Sequence, residues 1–456
     1  MKERIAIAII ALIAIARIAA THAIFAPTYD EPAHVAAGHQ YLDEHRYTVD
    51  KSHPPLARLV FALVPRASNS YMDDFIAARR GNLLFVALAI IGVAWWAWIA
   101  MGPTEAVIAA ALFSFLPPIL AHGGLATTDM ACTAAFACAM PMFHRWLDSP
   151  TWPRTAALAA IVGLGLVTKF SFPLFFALAA IVLLIVQWRI GALACPAKKL
   201  LAAATGAMIV VSAFYFFHQL PRFFTGFASV LAHNRFGHGA YFFGEVRTTG
   251  WWYYFPIVLA IKTPIPFLLL AIAGIRKNRT TAIVALVILL AAMTSHLNLG
   301  VRYLLPIYVP LAILAASYRW PAVILGVWLA INSFYAHPDY LPWFNAFAGK
   351  HPEHIVLDSN FDWGQDVLRL RDECAKRGVG DIGVKLFTLA DYQRLGMPHT
   401  HAIDPDHADN GWVAISEGEI IPRPFPWLDG RPFTHVGKTI RLYPPLALRT
   451  SPYPRS

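Results

Sequence analysis

Charged residues are scarce in this sequence. Of its 456 residues, 14% are charged and 57% are hydrophobic, and the mean hydropathy is +0.51. A soluble globular domain carries roughly 25% charged residues. The composition therefore predicts an integral membrane protein and disfavours an ordinary soluble enzyme.

Cysteine is also scarce, and two catalytic motifs are missing. The four cysteines are Cys132, Cys138, Cys195 and Cys374, and their positions define no disulfide framework. The sequence has no Walker-type glycine-rich loop and no Gly-x-Ser-x-Gly elbow, so ATP-driven transport and serine hydrolysis lose support.

The net charge of +10 could suggest a nucleic-acid partner. Many basic residues, however, lie in short loops between apolar segments, where they set membrane topology, and we expect no nucleic-acid partner.

Long apolar runs dominate the first three quarters of the chain. About eleven of them approach the ~20 residues that a helix needs to cross a bilayer. They are Ile5–Ala26, Leu83–Met101, Ala106–Leu120, Met130–Phe143, Thr155–Thr168, Phe172–Trp188, Leu200–Phe217, Trp252–Ile275, Ala282–Ser295, Tyr303–Ala316 and Pro321–Tyr335. If the N-terminus is cytoplasmic, the densest basic clusters among the short loops face inward, and all the long polar segments share the outer face.

This topology predicts two units. Residues 1–336 form a transmembrane domain with a first outer loop at 27–80, and residues 337–456 form a domain on the outer face. The tail pattern predicts strands and helices in mixed order. The strands are His354–Ser359, Asp381–Thr388 and Gly411–Ser416, and the helices are Asp366–Arg377 and Leu389–Leu395. The predicted fold is an α-helical polytopic membrane protein with a small C-terminal α/β domain.

Two adjacent carboxylates, Asp30 and Glu31, follow the first apolar run directly. A loop carboxylate is most often merely solvated. Here, however, His34, His53 and Arg58 occur in the same outer loop beside the bilayer. A carboxylate in such a place could take a proton from an incoming hydroxyl as a general base.

A further acid and three cations stand at or within later spans. Asp129 begins the fourth predicted span, where it suits a helix N-cap as well as a functional role. Lys169 ends the fifth span and could simply extend to the interface. Lys262 lies inside an apolar run, where a lone ammonium costs about 2.5 kcal/mol or more and so needs an anionic partner such as a lipid phosphate. Arg302 could hold the same phosphate through two hydrogen bonds.

The outer segment Gly237 to Glu245 combines glycines with aromatic residues. Tyr241 and its neighbours could form a flexible wall for a sugar or an isoprenoid chain, or they could belong to an interfacial aromatic belt. The histidines of the outer loops are scattered and lack the tight spacing of metal ligands. The pattern is compatible with a divalent metal ion but does not indicate one.

Several short motifs follow one another along the chain. They are Tyr29-Asp30-Glu31, His53-Pro54-Pro55-Leu56, Thr128-Asp129, Tyr241 to Glu245, Trp251 to Tyr254 with Lys262-Thr263-Pro264, Leu299 to Tyr303, and Asp358 to Asp366. In this order they resemble the motifs of the GT-C membrane glycosyltransferases, in the bacterial branch related to protein O-mannosyltransferases and to the lipid A aminoarabinose transferase. The resemblance extends over nearly the whole chain to about Ser416.

The resemblance implies an inverting glycosyltransferase of the bacterial inner membrane. Such an enzyme moves a sugar from a polyprenyl-phosphate carrier to a lipid, glycan or protein acceptor, with its active site facing the periplasm or the cell exterior. It implies Asp30 as the base with Glu31 beside it, and Asp129 as an acid that orients groups or contacts a metal. The substrate-binding candidates are His53, Arg58, Lys169, Tyr241, Glu245, Lys262 and Arg302.

Two other functions could use the same residues. A transporter or flippase of an amphiphilic anion would bind through the cations and relay protons through the carboxylates, but the inverted repeats typical of such proteins are not evident. A membrane-anchored binding protein would act through its tail.

Overall fold

The computed structural model describes residues 1–191 and 196–446, and Cys195 lies outside the described residues. The described part is mostly helical. The α-helices are α1 Lys2–Ala19, α2 Glu31–Glu44, α3 Leu56–Ala62, α4 Tyr71–Met101, α5 Pro103–Ser114, α6 Pro117–Gly123, α7 Thr128–Asp148, α8 Trp152–Leu166, α9 Phe172–Arg189, α10 Ala197–Phe214, α11 Pro221–Phe236, α12 Tyr254–Lys262, α13 Ile265–Gly274, α14 Arg279–Met293, α15 Tyr308–Ala315, α16 Arg319–Tyr335, α17 Val367–Arg377 and α18 Glu417–Ile420. A 3-10 helix, Val301–Ile307, leads into α15.

Each of the predicted apolar runs overlaps at least one of these helices. Within the described ranges, three helices (α4, α9 and α10) are long and apolar enough to cross a membrane, and up to five spans result if each bent helix pair counts as one. Others, such as α8 and α14, are apolar but shorter. The fold is that of a multi-helix membrane protein, and the number of eleven spans stays a prediction.

Two of the predicted runs are broken by proline. The axes of α5 and α6 differ by 68°, and those of α12 and α13 by 116°. Proline lacks the N–H that an unbroken helix would use, so carbonyls near the break need other partners. At the second break, Asn345 Nδ2 donates to the carbonyls of Ala260 and Thr263 at 2.6 Å each. Asn345, from the tail, therefore supplies donors to two carbonyls at this break.

Small residues allow close helix packing in the bundle. A Cβ added to Gly92 in α4 would lie 2.6 Å from the carbonyl carbon of Ala137 in α7. A Cβ on Gly163 in α8 would lie 2.6 Å from the Cβ of Val210 in α10. Close backbone approach at small residues is typical of helix packing in membranes.

The first outer loop is more regular than its polar sequence suggests. It contains α2 and α3 and ends with the first turns of α4, which begins at Tyr71. Ser70 caps α4, because its hydroxyl accepts a hydrogen bond from the Asp73 N–H at 3.2 Å. These short helices place polar side chains at the end of the bundle that the sequence predicts to face outward.

The tail contains a five-stranded sheet, and a separate hairpin precedes α12. The strands are β1 Ala240–Phe242, β2 Glu245–Arg247, β3 Asp381–Lys385, β4 His399–Ala402, β5 Trp412–Ser416, β6 Thr434–Val436 and β7 Ile440–Tyr443. The hairpin pairs β1 with β2, and the sheet has the order β4-β3-β5-β7-β6. Strand β3 is parallel to β4 and β5, whereas β7 is antiparallel to β5 and β6.

Three of the five predicted tail elements are confirmed. Helix α17 ends at Gly378, whose φ of 68° is left-handed, and β3 and β5 match two predicted strands. The predicted strand His354–Ser359 is wrong, because 3-10 turns at Pro352–His354 and Asp358–Asn360 interrupt it. The predicted helix Leu389–Leu395 is a turn segment. Strands β4, β6 and β7 were not predicted.

Candidate functional site

The two adjacent carboxylates face different surroundings. Asp30 precedes α2 and Glu31 begins it, so their side chains leave the chain in different directions. The Asp30 side chain is 26% exposed, and its Oδ2 accepts a hydrogen bond from Arg302 Nη1 at 2.6 Å. The Glu31 side chain is 0% exposed. Only Asp30 can therefore meet a molecule that enters from outside.

Glu31 is enclosed by donors. Arg79 donates to both carboxylate oxygens at 2.8 and 2.7 Å, and the N–H groups of Thr28 and Ala126 donate at 2.8 Å each. Burial alone would raise the pKa of Glu31, but the charge of Arg79 and these hydrogen bonds hold the pKa below its usual value. Glu31 thus joins the first outer loop to α4 and to the segment before α7. It does not line the cavity, although the sequence pattern grouped it with Asp30.

Arg302 is held between aromatic rings and acids. Its guanidinium carbon lies 4.4 Å from the ring centre of Trp363 and 5.2 Å from that of Tyr303. The Arg302 side chain is 7% exposed, and within the described residues its Nε has no hydrogen-bond partner. A buried donor without a partner is costly, so this nitrogen is prepared for an acceptor from a ligand.

A second ion pair lies beside the first. Lys169 Nζ donates to Asp129 Oδ1 at 2.5 Å and lies 4.4 Å from the ring centre of Tyr303. Thr127 donates its hydroxyl to the other oxygen of Asp129 at 2.8 Å. Thr127, rather than Asp129, precedes α7, and Asp129 lies in the first turn, where its charge still suits the helix dipole. Asp129 therefore holds Lys169 toward the cavity.

A histidine–aspartate cluster forms another side of the site. His53 Nδ1 lies 3.0 Å from Asp50 Oδ2, and buried Arg58 also pairs with Asp50. Burial opposes ionisation of Asp50, but the hydrogen bond with His53 and the charge of Arg58 hold its pKa well below the usual range. Burial and Arg58 hold the pKa of His34 well below its usual value, so its neutral Nδ1 accepts from Arg58 Nε at 3.1 Å.

The same cluster bears on metal binding. Potential ligand atoms of His34, Asp50 and His53 lie within 4.8 Å of one another. Imidazole and carboxylate groups suit a divalent metal such as zinc. Arg58, however, donates to both His34 and Asp50 and already supplies the positive charge. A metal ion there would have to displace Arg58. Arg58, which the sequence predicted as a substrate-binding residue, supports this cluster and does not line the cavity.

A cavity of about 400 Å³ connects these groups. Its walls come from the first outer loop, the turn between α8 and α9, the segment before α15, α11 with the loop after it, and the tail. The lining residues are Tyr29, Asp30, Ala33, His34, Asp50, Ser52, His53, Lys169, Phe170, Ser171, Val230, His233, His238, Leu297, Leu299, Arg302, Tyr303, Asp358, Trp363, Phe387 and Leu389. Of the predicted site residues, Asp30, His53, Lys169 and Arg302 meet here, with Asp129 directly behind Lys169.

Lys262 does not take the place that its sequence context predicted. Its ammonium donates to the carbonyls of Leu341, Trp343 and Asn360 at 2.6, 2.7 and 2.8 Å and lies 4.0 Å from the Phe344 ring centre. All three N–H bonds are used by tail carbonyls, and Lys262 does not line the cavity. The sequence prediction required an anionic partner, but backbone oxygens fill that role.

Tyr241 and Glu245 also lie outside the cavity. Tyr241 donates its hydroxyl to the carbonyl of His354 at 3.3 Å. Glu245 pairs with Arg247 at 2.6 Å, and both side chains are at least half exposed. His238, from the same predicted segment, lines the cavity, and Tyr241 lines a neighbouring cavity. The predicted wall of the binding site therefore forms in part, and the β1–β2 hairpin also contacts the tail.

Several cavity residues were not selected from the sequence. Asp358 and Trp363 come from the tail, and His233 comes from α11. Burial raises the pKa of Asp358, which Arg302 opposes. Its backbone has a positive φ of 55°, which Asp tolerates better than most residues. The sequence signal for Asp358 and Trp363 was the motif Asp358 to Asp366, which contains both. This motif is far along the chain from the loop 27–80, so the sequence did not indicate that the two meet in one cavity.

Comparisons with known proteins agree with this architecture. Residues 52–217 match the family model described as dolichyl-phosphate-mannose-protein mannosyltransferase. The structure of ArnT from Cupriavidus metallidurans bound to undecaprenyl phosphate aligns with a TM-score of 0.56 at 13% identity, over 95% of this chain and 97% of that one. The apo structure of the same protein aligns with a TM-score of 0.54 at 12% identity over the same shares. No protein with a curated description matches the chain by sequence. At these identities the structural likeness shows a shared fold.

Proposed function

We propose that this chain, which has the GT-C fold and resembles the protein O-mannosyltransferases and ArnT, transfers a sugar from a polyprenyl-phosphate carrier to a lipid, glycan or protein acceptor. The observation that carries the proposal is the contact between Asp30 and Arg302 at 2.6 Å in a cavity at the outer end of the bundle. A partly exposed carboxylate and a buried cation stand side by side there. These are the two groups that an acceptor hydroxyl and a leaving phosphate require.

The proposed reaction is a direct displacement with inversion. The acceptor oxygen attacks the anomeric carbon and forms the new glycosidic bond, while the bond from that carbon to the phosphate oxygen breaks. Asp30 receives the acceptor proton as general base. The carrier leaves as a polyprenyl phosphate monoester with its bonding electron pair on the phosphate oxygen.

Charge develops on the phosphate as it leaves, and the cations of the cavity are placed to stabilise it. Arg302 has a buried Nε without a partner in the described part of the chain, and Lys169 lies beside the same tyrosine ring. Donors fixed in place before the reaction stabilise developing charge more strongly than mobile solvent does. A phosphate on Arg302 would also compete with Asp30 for the guanidinium and so release the base for the acceptor.

The carrier class and the membrane arrangement belong to this proposal. The similar ArnT structure contains bound undecaprenyl phosphate, which supports a lipid phosphate as the ligand of the cavity in this chain. We place residues 1–336 in the bacterial inner membrane, with the loop 27–80 and the domain 337–456 on the periplasmic side. The fold and the family match support transfer over the transport of a lipid-linked anion.

The test has two parts. Mass spectrometry of lipid that co-purifies with the protein identifies the polyprenyl-phosphate sugar. Vesicles with that lipid, supplied with membrane extract as the source of acceptor, then report release of polyprenyl phosphate. We expect Asp30→Asn to lower turnover about 10²–10⁴-fold, the usual contribution of a general base. Glu245→Gln, an exposed carboxylate outside the cavity, is the matched control and should keep wild-type turnover.

Two results would contradict the proposal. Near-normal turnover of a folded Asp30→Asn protein would remove Asp30 from the base role. Movement of intact lipid-linked sugar across the vesicle without cleavage would decide for a transporter.

A further inference from the structure

We propose that the tail sheet carries a zinc site, separate from the cavity, formed by Asp381, His399 and His401. His399 and His401 lie two residues apart on β4, so their side chains share one face of the strand. Strand β4 stands at the edge of the sheet beside β3, and His399 is directly opposite Asp381 in the parallel register. None of these residues lines the cavity described above.

The three ligand atoms already lie close together. His399 Nδ1 is 2.6 Å from Asp381 Oδ1, and His401 Nδ1 is 3.4 Å from the same oxygen. Zinc bonds of about 2.0–2.2 Å in a tetrahedron place neighbouring ligand atoms about 3.3 Å apart. All three ligand atoms lie within 4.8 Å of one another, so side-chain rotations can bring them to this spacing. The side chains are 60%, 78% and 41% exposed for Asp381, His399 and His401, so an ion has access.

Asp409 supplies a feature of metal sites that a chance surface cluster lacks. His401 Nε2 lies 2.7 Å from Asp409 Oδ2, on the side of the ring opposite the proposed metal-binding nitrogen. Histidines that bind metals usually donate their other ring N–H to a carboxylate, which fixes the tautomer and the ring orientation. Asp409 is itself held, because its Oδ1 accepts from the Gly411 N–H at 2.8 Å and its carbonyl accepts from Arg431 Nη1 at 2.9 Å.

Gly383 provides the space for this arrangement. It stands opposite His401 in the register of β3 and β4. A Cβ at this position would lie 2.5 Å from Asp409 Oδ2, 3.1 Å from His401 Nε2 and 2.4 Å from a methyl group of Ile403. Gly383 has ordinary strand backbone, so the turn or positive-φ reasons for glycine do not apply. The missing side chain makes room for the His401–Asp409 contact.

The donor set selects the ion. Two imidazoles and one carboxylate suit zinc, whereas calcium and magnesium prefer oxygen ligands. Three protein ligands leave a fourth position open for water or for a group from another molecule. A second group, His351, Glu353 and His354, also brings possible ligands together, but it lies within one short turn of the chain. The tail-sheet site instead takes its ligands from two strands, and the Asp409 carboxylate contacts one of its histidines.

The test measures zinc binding by the purified full chain after removal of metals with a chelator. Isothermal titration with Zn²⁺ and elemental analysis give the affinity and the number of bound ions. We expect the double variant His399→Ala/His401→Ala to bind one equivalent fewer than the wild type. His407→Ala is the matched control, because His407 lies in the same histidine-rich segment, is 86% exposed and pairs only with Asp404 among the described residues.

A double variant that keeps the wild-type number of ions and affinity would overturn the proposal. A loss of equal size in His407→Ala would also overturn it, since binding would then belong to the segment and not to the site. Circular dichroism of the metal-free proteins checks folding. If the double variant is misfolded, Asp381→Asn, which removes one exposed ligand, replaces it in the same comparison.

Asp409 acts as a positioning residue, and the zinc affinity of an Asp409 variant tests this role. Asp409→Asn keeps all three ligands, so we expect the bound equivalent to remain but its affinity to fall about 10–100-fold. Cobalt in place of zinc should show the visible absorption of a four-coordinate site in the wild type and in His407→Ala. Absence of that spectrum in the wild type, or unchanged zinc affinity in Asp409→Asn, would contradict the assigned geometry.

Discussion

The cavity and the layer directly behind it contain the same kinds of charged side chains, used in opposite ways. In the cavity, Asp30 and Arg302 contact each other, yet Asp30 is partly exposed and Arg302 has a donor without a partner in the described residues. Behind it, Glu31 accepts from Arg79 through both oxygens, and Lys262 gives all its N–H bonds to carbonyls. Arg302, at 7% exposure, is nearly as buried as Glu31 and Lys262.

For Asp30, Arg302, Glu31 and Lys262, the difference teaches that open hydrogen-bonding capacity separates the site from its support. A buried charge whose partners are all supplied by the protein has nothing left to offer a ligand, and removing one partner leaves the other uncompensated. A charge with an open donor or an exposed oxygen can exchange a protein partner for substrate. Substitutions in the supporting layer and in the cavity test this division.

Glu31→Gln should have the largest effect on stability. The substitution leaves Arg79 buried without its counter-charge, and breaking a buried ion pair in this way costs about 3–5 kcal/mol. Thermal unfolding in detergent measures the loss. The variant Glu31→Leu/Arg79→Met, which removes both charges, should recover part of it. If Glu31→Gln unfolds like the wild type but loses turnover, the division between site and support fails.

Arg302→Lys should have a smaller effect than Glu31→Gln. It should affect the binding of the sugar-donor lipid instead of the stability of the fold. Lysine keeps the positive charge but loses the planar set of donors that can bind phosphate through two hydrogen bonds. One hydrogen bond to a charged group is worth about 1.5–3 kcal/mol, so we expect binding of the donor lipid to weaken about 10–100-fold. Titration with polyprenyl phosphate measures the affinity. Arg247→Lys, whose side chain is half exposed and outside the cavity, is the control. Unchanged affinity in Arg302→Lys would show that the phosphate binds elsewhere.

The sequence indicates this division only in part. Apolar runs and charged loops predict a helical membrane protein and bring Asp30, Lys169 and Arg302 forward as candidates, because isolated charges next to apolar segments are conspicuous. Neighbouring positions such as Asp30 and Glu31 carry the same chemistry, and only the helix geometry decides which one is exposed. The partners of Lys262 lie about 80 to 100 positions further along the chain, a pairing that no local pattern records.

The tail shows the same limit of local patterns. Helix α17 and strands β3 and β5 have strong local patterns, which the structure confirms. Strand β4 reads His-Thr-His-Ala and lacks the apolar alternation of a half-buried strand, because it stands at the sheet edge and depends on β3 for its hydrogen bonds. Asp358 enters the cavity from a segment whose pattern suggested a strand. Tertiary contacts, not local preference, determine these positions.

Lys262→Met should have the smallest of these effects, and it separates the two interpretations of a buried lysine. If Lys262 anchors the tail, methionine leaves three carbonyls short of a donor but also removes a buried ammonium, whose burial is itself costly. The free energy of unfolding should therefore fall by a net of about 1–3 kcal/mol. Turnover per folded molecule and affinity for polyprenyl phosphate should remain close to wild type, because Lys262 does not line the cavity. Lys277→Met, which loses a single contact to the Ser317 carbonyl at 3.2 Å, is the control for removing a lysine. A Lys262→Met protein of normal stability that binds polyprenyl phosphate tenfold more weakly would return Lys262 to the phosphate site, and full hydrogen bonding by the protein would then no longer mark a residue as support.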